Sequence, residues 1–222
     1  MLTVAVADEK QALAEESRLA ARAHMSLLLP MLRDVLGRAG LTFADVDHLA
    51  VGIGPGSFTG TRIGVATAQG LALASNDRLV GISTLDVLAA QVAAPPGVLV
   101  CPVIDAKRKE IYTGVFPTEE APQKFAAPLV RAASSWAAEL STLGRRILFV
   151  GDGLWQYKEV FVSVLGDNAV FADESLWYPN AGVLIELAKE RINRGDFQPY
   201  HEVLPIYTRL SDAEEALLRL NK

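Results

Sequence analysis

The sequence predicts an α/β fold, and three observations carry that reading. Short apolar runs ending in glycine or aspartate alternate with stretches whose apolar residues recur at helical spacing. A Pro-Pro-Gly break at 95–97 separates two halves that each show this alternation, so residues 1–95 and 96–222 are predicted as two α/β units. Finally, 222 residues with 50% hydrophobic and 21% charged side chains can bury a substantial core.

The elements follow in chain order. "LTVAVADEKQALAEES" predicts a hairpin: "TVAV" alternates, "ADEK" turns and "QALAEE" returns. From about 24 to 39, Met25, Leu28, Leu29, Leu32, Val35 and Leu36 fall on one helical face, and Leu27 and Met31 widen it. Pro30 donates no N–H, so it must sit in the first turn of this helix or kink it. "HLAVGIG" is a short apolar strand, followed by a helix from Thr59 or Gly60 to about Ala74. "RLVGI" is a strand, and "STLDVLAAQVA" a helix with Ser83 as its N-cap. In the second half, "VLVCPVIDAKRKEIYTGVF" predicts two strands joined by a charged turn. "LVRAASSWAAELSTLG" gives a strand edge and a helix, and "RRILFVGDG" gives a strand. "LWQYKEVFVSVLG" and "NAGVLIELAKERINRG" are helices, and a charged tail closes the chain from Ser211.

Composition narrows the function classes. The formal net charge of −5 and the lack of a long Lys/Arg cluster argue against a surface that holds nucleic acid by itself. Nothing approaches the ~18 apolar residues of a membrane span, and the N-terminus lacks signal-peptide order, so a cytoplasmic protein without membrane contact is expected. One cysteine, Cys101, excludes an internal disulfide and reads as core packing. His24, His48 and His201 lie far apart, with no second ligand at helical spacing, so no metal is expected. Asp105 and Asp152 each end an apolar strand, where a carboxylate is either catalytic or a turn residue, Asp105 then pairing with Lys107 or Arg108.

The most informative stretch is "VGIGPGSFTGTRIGVATAQGLALA", residues 51–74. A Walker loop would need Gly-Lys-Ser/Thr, and here Gly60 is followed by Thr61 and Arg62. The dinucleotide fingerprint is also absent, since Ser57 stands where the first register needs glycine. What remains is a glycine-rich turn, Gly54, Pro55, Gly56, Ser57 and Thr59, before a helix N-terminus: either an anion cradle or a tight strand-to-helix turn. Within the helix, Gly60, Gly64, Ala68 and Ala72 recur every four residues, leaving one side nearly bare. Another backbone can approach there, belonging to a partner helix or to this chain's own sheet.

Residues 51–74 closely resemble the signature of the bacterial TsaB/YeaZ family of tRNA threonylcarbamoyladenosine biosynthesis. Further matches follow in order: "AHMSLLLPML", "LVGISTLDVLA", "VIDAKRKEIY", "GDG" and "LPIYTR", covering most of the chain. The resemblance implies an actin-like, sugar-kinase-like (ASKHA) fold of two lobes and a non-catalytic subunit without cofactor. That subunit would pair with catalytic TsaD, which transfers threonylcarbamoyl from its adenylate to the adenosine beside the anticodon. The ATPase TsaE would be a third partner, tRNA would be met indirectly, and the protein alone would form a homodimer. The catalytic relative carries two metal-binding histidines four apart where Thr84 and Leu88 stand here, so the resemblance implies neither metal nor transfer in this chain. It places His24, Leu28 and Met31 on one helix, and Gly60, Gly64 and Ala68 on the other, at the partner interface. The glycine-rich turn then becomes chiefly architecture. Family members usually begin with a strand ending in Asp-Thr-(Ser/Ala)-Thr, central in the N-terminal sheet, ahead of the segment matching "TVAVADEKQALAEE". This sequence starts at that second segment, and a start point set too late is the expected cause. Otherwise an unpaired strand edge should favour dimerisation or swapping.

Overall fold

The computed structural model describes residues 1–19, 24–75, 78–118 and 129–207. The predicted hairpin forms from β1 (Leu2–Ala7) and β2 (Ala12–Arg18), antiparallel with Val4 opposite Glu16. Asp8 closes its turn, the Oδ1 accepting from the N–H groups of Lys10 and Gln11, each at 2.7 Å. Those two bonds hold its carboxyl below the ordinary value. The predicted first helix is α1 (His24–Arg38), which lays Met31 and Val35, both fully buried, against Val4 of β1. Arg38 ties the helix to the hairpin by donating to the Glu15 carbonyl at 3.1 Å and the Glu16 carboxylate at 3.2 Å. Pro30 lies inside α1, beyond its first turn, and adds no N–H to the helical ladder.

Next, β3 (His48–Gly52), α2 (Phe58–Ser75) and β4 (Arg78–Ile82) form a strand–helix–strand unit, with β3 and β4 parallel and Ala50 opposite Val80. After β4 comes α3 (Thr84–Ala90). Ser83 occupies its N-cap position as expected, but the hydroxyl makes no cap bond and is buried without a partner. The helix start is held by another bond, Thr84 N–H to the Gly54 carbonyl at 2.8 Å.

The second half builds one five-stranded sheet. Its strands are β5 (Leu99–Lys107), β6 (Glu110–Thr113), β7 (Leu129–Ala132), β8 (Ile147–Val150) and β9 (Ala169–Phe171), in the order β7-β6-β5-β8-β9. The first three are antiparallel, and β5, β8 and β9 are parallel. The charged turn has two central residues, Arg108 and Lys109, at φ 53° and 66°. Positive φ at both positions matches the twist of the flanking strands, achieved here without glycine. Helices α4 (Ala133–Ser141) and α5 (Leu154–Leu165) cover the sheet, burying Trp136, Leu140 and Phe161 against Ile147 and Phe149. The three-residue β9 was not predicted.

Helix α6 (Ala181–Asn193) crosses back over the 95/96 division expected from sequence. Its apolar face, Val183, Leu184, Leu187 and Ala188, packs on Ala50 of β3 and on Val80 and Ile82 of β4. Arg191 fastens it there, donating from Nη1 to the Gly81 carbonyl at 2.6 Å. The tail from Ser211 lies outside the described residues.

Candidate functional site

The glycine-rich turn leads from β3 into α2, and its polar groups are consumed locally. Gly54 sits at φ 91°, a conformation costly for other residues, and a cis peptide links it to Pro55. Both residues are buried. Ser57 is the true cap of α2: its Oγ accepts from the Gly60 N–H at 3.3 Å and its carbonyl from the Thr61 N–H at 2.8 Å. Thr59 is exposed and Gly56 lies 3.8 Å from the Thr61 hydroxyl, measured from the Cβ it lacks. The C-terminal segment braces the turn, because the Ile206 N–H donates to the Ile53 carbonyl at 2.7 Å. Arg62 completes the brace, its guanidinium 3.8 Å above the Phe58 ring and its Nε–H donating to the Tyr207 hydroxyl at 2.8 Å. These bonds describe a braced strand-to-helix turn ahead of an exposed helix start.

The bare band of α2 lies toward this chain's own sheet, one of the two alternatives that the sequence leaves open. A Cβ on Gly64 would meet Val51 of β3 at 3.8 Å, and Ala68 packs with Leu49, Val51 and the buried Ala72 and Leu79. Val51 and Ile53 of this region and Ala68, Ala72 of α2 belong to one apolar cluster, and small residues on α2 allow a close helix–sheet approach. On α1, Met31 is fully buried against β1, and Leu28 belongs to the same cluster. The side chain of His24 lies outside the described residues. Gly60 is half-buried at the start of the inner side.

The solvent-facing side of the same helix pair had not been picked out from the sequence. On α2 it carries Arg62, Ala66, Gly70 and Leu73, again at steps of three or four, with Leu73 62% exposed and open space where a Gly70 side chain would be. On α1, which packs beside α2, it carries Leu29, 52% exposed, with Arg33 and Asp34. Phe58 is 44% exposed at the end of this face. Two large aliphatic side chains in solvent beside small residues form an apolar surface on which another backbone can lie closely. The signal existed in the sequence: positions 62, 66, 70 and 73 form a second line parallel to the glycine band.

A second polar group lies where β5 and β8 end. Asp105 accepts from its neighbour Lys107 twice, from the backbone N–H at 2.8 Å and from Nζ, the turn pairing anticipated for it. Asp152, between Gly151 and Gly153, accepts weakly from the Asp105 N–H at 3.4 Å, and burial pushes its carboxyl above the ordinary value. Beside them the Tyr157 hydroxyl is buried without a partner, its titration pushed up by burial and by Asp105. His48 packs its ring 5.6 Å from Phe197, and His201 stands 4.0 Å from Glu202. Among the described residues no three His, Cys, Asp or Glu side chains gather as a metal site, and no helix is long and apolar enough to cross a membrane. Thr84 and Leu88 lie on α3, Leu88 buried and the Thr84 N–H bonded to the Gly54 carbonyl.

Comparison with known proteins adds the following. The family model described as TsaD, tRNA N6-adenosine threonylcarbamoyltransferase, matches residues 17–217. A tRNA threonylcarbamoyladenosine biosynthesis protein TsaB of Bacillus subtilis (strain 168) is 28% identical over 222 residues, all of this chain and 95% of that protein. The TsaB of Escherichia coli (strain K12) is 41% identical over 100 residues, 45% of this chain and 43% of the relative. Among solved structures, YeaZ from Pseudomonas aeruginosa superposes with a TM-score of 0.78 at 30% identity, covering 92% of this chain and 93% of that one. A second Pseudomonas aeruginosa structure, described as an uncharacterized protein with similarity to peptidase YEAZ, gives 0.79 at 31% identity, covering 93% and 94%.

Proposed function

The chain belongs to the TsaB/YeaZ family, and from that premise we propose that it serves tRNA threonylcarbamoyladenosine biosynthesis as a non-catalytic subunit that pairs with, and activates, a TsaD-type transferase. The observation that carries the pairing is the exposed face of α1 and α2. Leu29 on α1 and Leu73 on α2 stand in water, and the exposed Ala66 and Gly70 of α2 leave room for a partner helix. Docking there removes two leucines from water at ~25 cal/mol per Å² and brings helix backbones together where no side chain separates them.

The non-catalytic role rests on residue chemistry. Metal-assisted transfer needs imidazole or carboxylate ligands around one point, and α3 presents Thr84 and Leu88 where the catalytic relative has histidines. The net charge of −5 supports a division of labour in which the partner carries most of the tRNA backbone contact. An ATPase of the TsaE type is the third member of the proposed assembly. Without its partners the chain pairs with a second copy through the same face, since an apolar helix pair is self-complementary under two-fold symmetry.

Light scattering after gel filtration tests this with the chain, a TsaD protein and their mixture. A one-to-one heterodimer is expected for the wild type, lost in Ala66→Arg and Leu73→Asp. Threonylcarbamoyladenosine formation by TsaD and TsaE should rise on adding the wild-type chain and not on adding either variant. A wild-type mixture that elutes as its separate components, with no stimulation, overturns the proposal.

A further inference from the structure

The guanidinium of Arg62 is held by two rings while most of its donors stay unused. Its central carbon stands 3.8 Å from the centre of the Phe58 ring and 5.3 Å from that of Tyr207, and the two rings are themselves 5.8 Å apart, tilted by 48°. Phe58 lies one helical turn before Arg62 on α2, and Tyr207 arrives on the C-terminal segment that the Ile206 N–H fastens to Ile53. The Arg62 Nε–H is spent on the Tyr207 hydroxyl. Among the described residues nothing accepts from Nη1 or Nη2, and no carboxylate pairs with this side chain. All three side chains are exposed.

This arrangement favours one kind of ligand. An exposed arginine samples many rotamers, and fixing it for a contact costs conformational entropy; here Phe58 and Tyr207 hold it before any contact forms. A ring against the face of a guanidinium leaves the donors in its plane free, and the parallel Nη–H pair matches the two oxygens of a carboxylate. A nucleic acid is disfavoured, because one such cation on a chain of net charge −5 offers no track for successive phosphates. Position favours a protein carboxylate. Arg62 begins the outward line of α2 that continues through Ala66 and Gly70 to Leu73, the surface proposed for the partner. At about 1.5 Å per residue, Arg62 and Leu73 lie ~16 Å apart along the helix axis. A partner helix laid along this line therefore presents a carboxylate and an apolar side chain about three turns apart on one face.

We infer that Arg62, positioned by Phe58 and Tyr207, is the polar anchor of the heterodimer: its Nη–H pair donates to an aspartate or glutamate side chain of the TsaD-type partner. The inference rests on the proposed function and adds to it the chemistry that sets the partner's register along α2. Arginine and tyrosine are the residue types that most often carry binding energy in such contacts, here at the rim of an apolar surface that shields them from water.

Isothermal titration of the full chain against a TsaD protein, at about 0.05 M and about 0.5 M salt, tests the anchor, since salt screens an ion pair and leaves apolar contact in place. Arg62→Gln should weaken binding at least tenfold at the lower salt and fall off less steeply with salt than the wild type. Arg62→Lys keeps the charge without the fork, so it should bind at least threefold more weakly than the wild type and retain the wild-type salt dependence. Tyr207→Phe releases Nε and loosens the side chain without removing the charge, so binding should weaken by less than in Arg62→Gln, again with the salt dependence retained. Arg62→Gln binding within twofold of wild type, or with the same salt dependence, overturns the inference while the heterodimer stands. Equal losses in Arg62→Gln and Tyr207→Phe also overturn it, because the arginine then only braces the C-terminal segment. A wild-type chain that does not bind the TsaD protein overturns the inference and the proposed function together. Should Arg62→Gln not fold, Arg62→Lys decides, and affinity equal to wild type overturns the fork.

Discussion

Gly151→Ala tests whether the junction between β8 and α5 is as tightly fitted as its geometry states. Gly151 has φ 123°, and a Cβ there would overlap the carbonyl oxygen of Val103 and lie 3.0 Å from its carbonyl carbon and 3.1 Å from its nitrogen. These are backbone atoms in the central strand β5, bonded to strands on both sides, so no side-chain rotation relieves the overlap. The cost has two parts: about 1–3 kcal/mol for a side chain in a conformation that only glycine adopts readily, and about 1–3 kcal/mol for separating packed backbone. A total near 4 kcal/mol is a large share of the ~5–15 kcal/mol that stabilises an ordinary domain, and in a chain of this length lowers Tm by roughly 8–16 °C. Gly144→Ala separates the two parts. Gly144 has φ 61° and open space around its missing Cβ, so only the conformational cost of about 1–2 kcal/mol applies. Urea unfolding followed by circular dichroism should show Gly151→Ala less stable than Gly144→Ala by about 2–3 kcal/mol at unchanged m. Equal midpoints for the two variants would refute the close approach of Gly151 to Val103.

Three further outcomes follow from local chemistry. The Cys101 thiol is fully buried and its pKa is pushed up to about 11, with Trp136 Nε1–H donating to its sulfur at 3.4 Å; at pH 8 it should resist a disulfide reagent in the folded protein and react fully in denaturant. Burial raises the Asp152 carboxyl above its ordinary 3.8, so the fold binds the proton more tightly than the unfolded chain and stability from this group falls as pH rises upward from that value. Asp152→Asn should therefore be more stable than wild type at pH 7, with the gain gone at pH 3; an equal difference at both pH values would contradict the assignment. Arg62→Ala loses an exposed cation–π contact worth about 0.5–1 kcal/mol and a hydrogen bond worth about 0.5–1.5 kcal/mol. A double-mutant cycle with Tyr207→Phe should return a coupling of ~1 kcal/mol, and additive effects would show that the C-terminal segment does not brace the turn.

Much of the architecture was legible because it is local. Apolar runs such as "RLVGI" and "ILFV" are too short and too bounded by turn residues to be helices, and they became β4 and β8. What the sequence could not show was the outcome of long-range packing. Strand β9 has three half-buried residues and exists because Ala169–Phe171 lies beside β8, not because of its own pattern. Helix α6 reads as an ordinary amphipathic helix, and nothing in "AGVLIELAKERIN" states that its partners are Ala50, Val80 and Ile82, more than 95 positions away. Ser83 carries a proper capping signal, yet its hydroxyl makes no cap bond, and the Thr84 N–H is bonded to the distant Gly54 carbonyl.

Helix α2 shows most clearly where sequence reasoning stops. A residue spacing of four states that a side of the helix is bare; it does not state which side is inside. In α2 both sides are lean, with Gly60, Gly64, Ala68 and Ala72 along one and Ala66 and Gly70 along the other. The deciding information is on β3, where a Cβ at position 64 would stand in ordinary contact with Val51 at 3.8 Å, so the glycine band lies toward the strand. Once that side is committed, Ala66, Gly70 and Leu73 are left outward, and the two sides acquire different work. The inner band packs toward β3, and the outer one is the surface proposed for a partner. Two substitutions therefore separate them: Gly64→Leu should leave heterodimer formation intact, and Ala66→Arg should abolish it. If Gly64→Leu dissociates the heterodimer while Ala66→Arg leaves it intact, the partner reads the inner band, and α2 must leave β3 to pair.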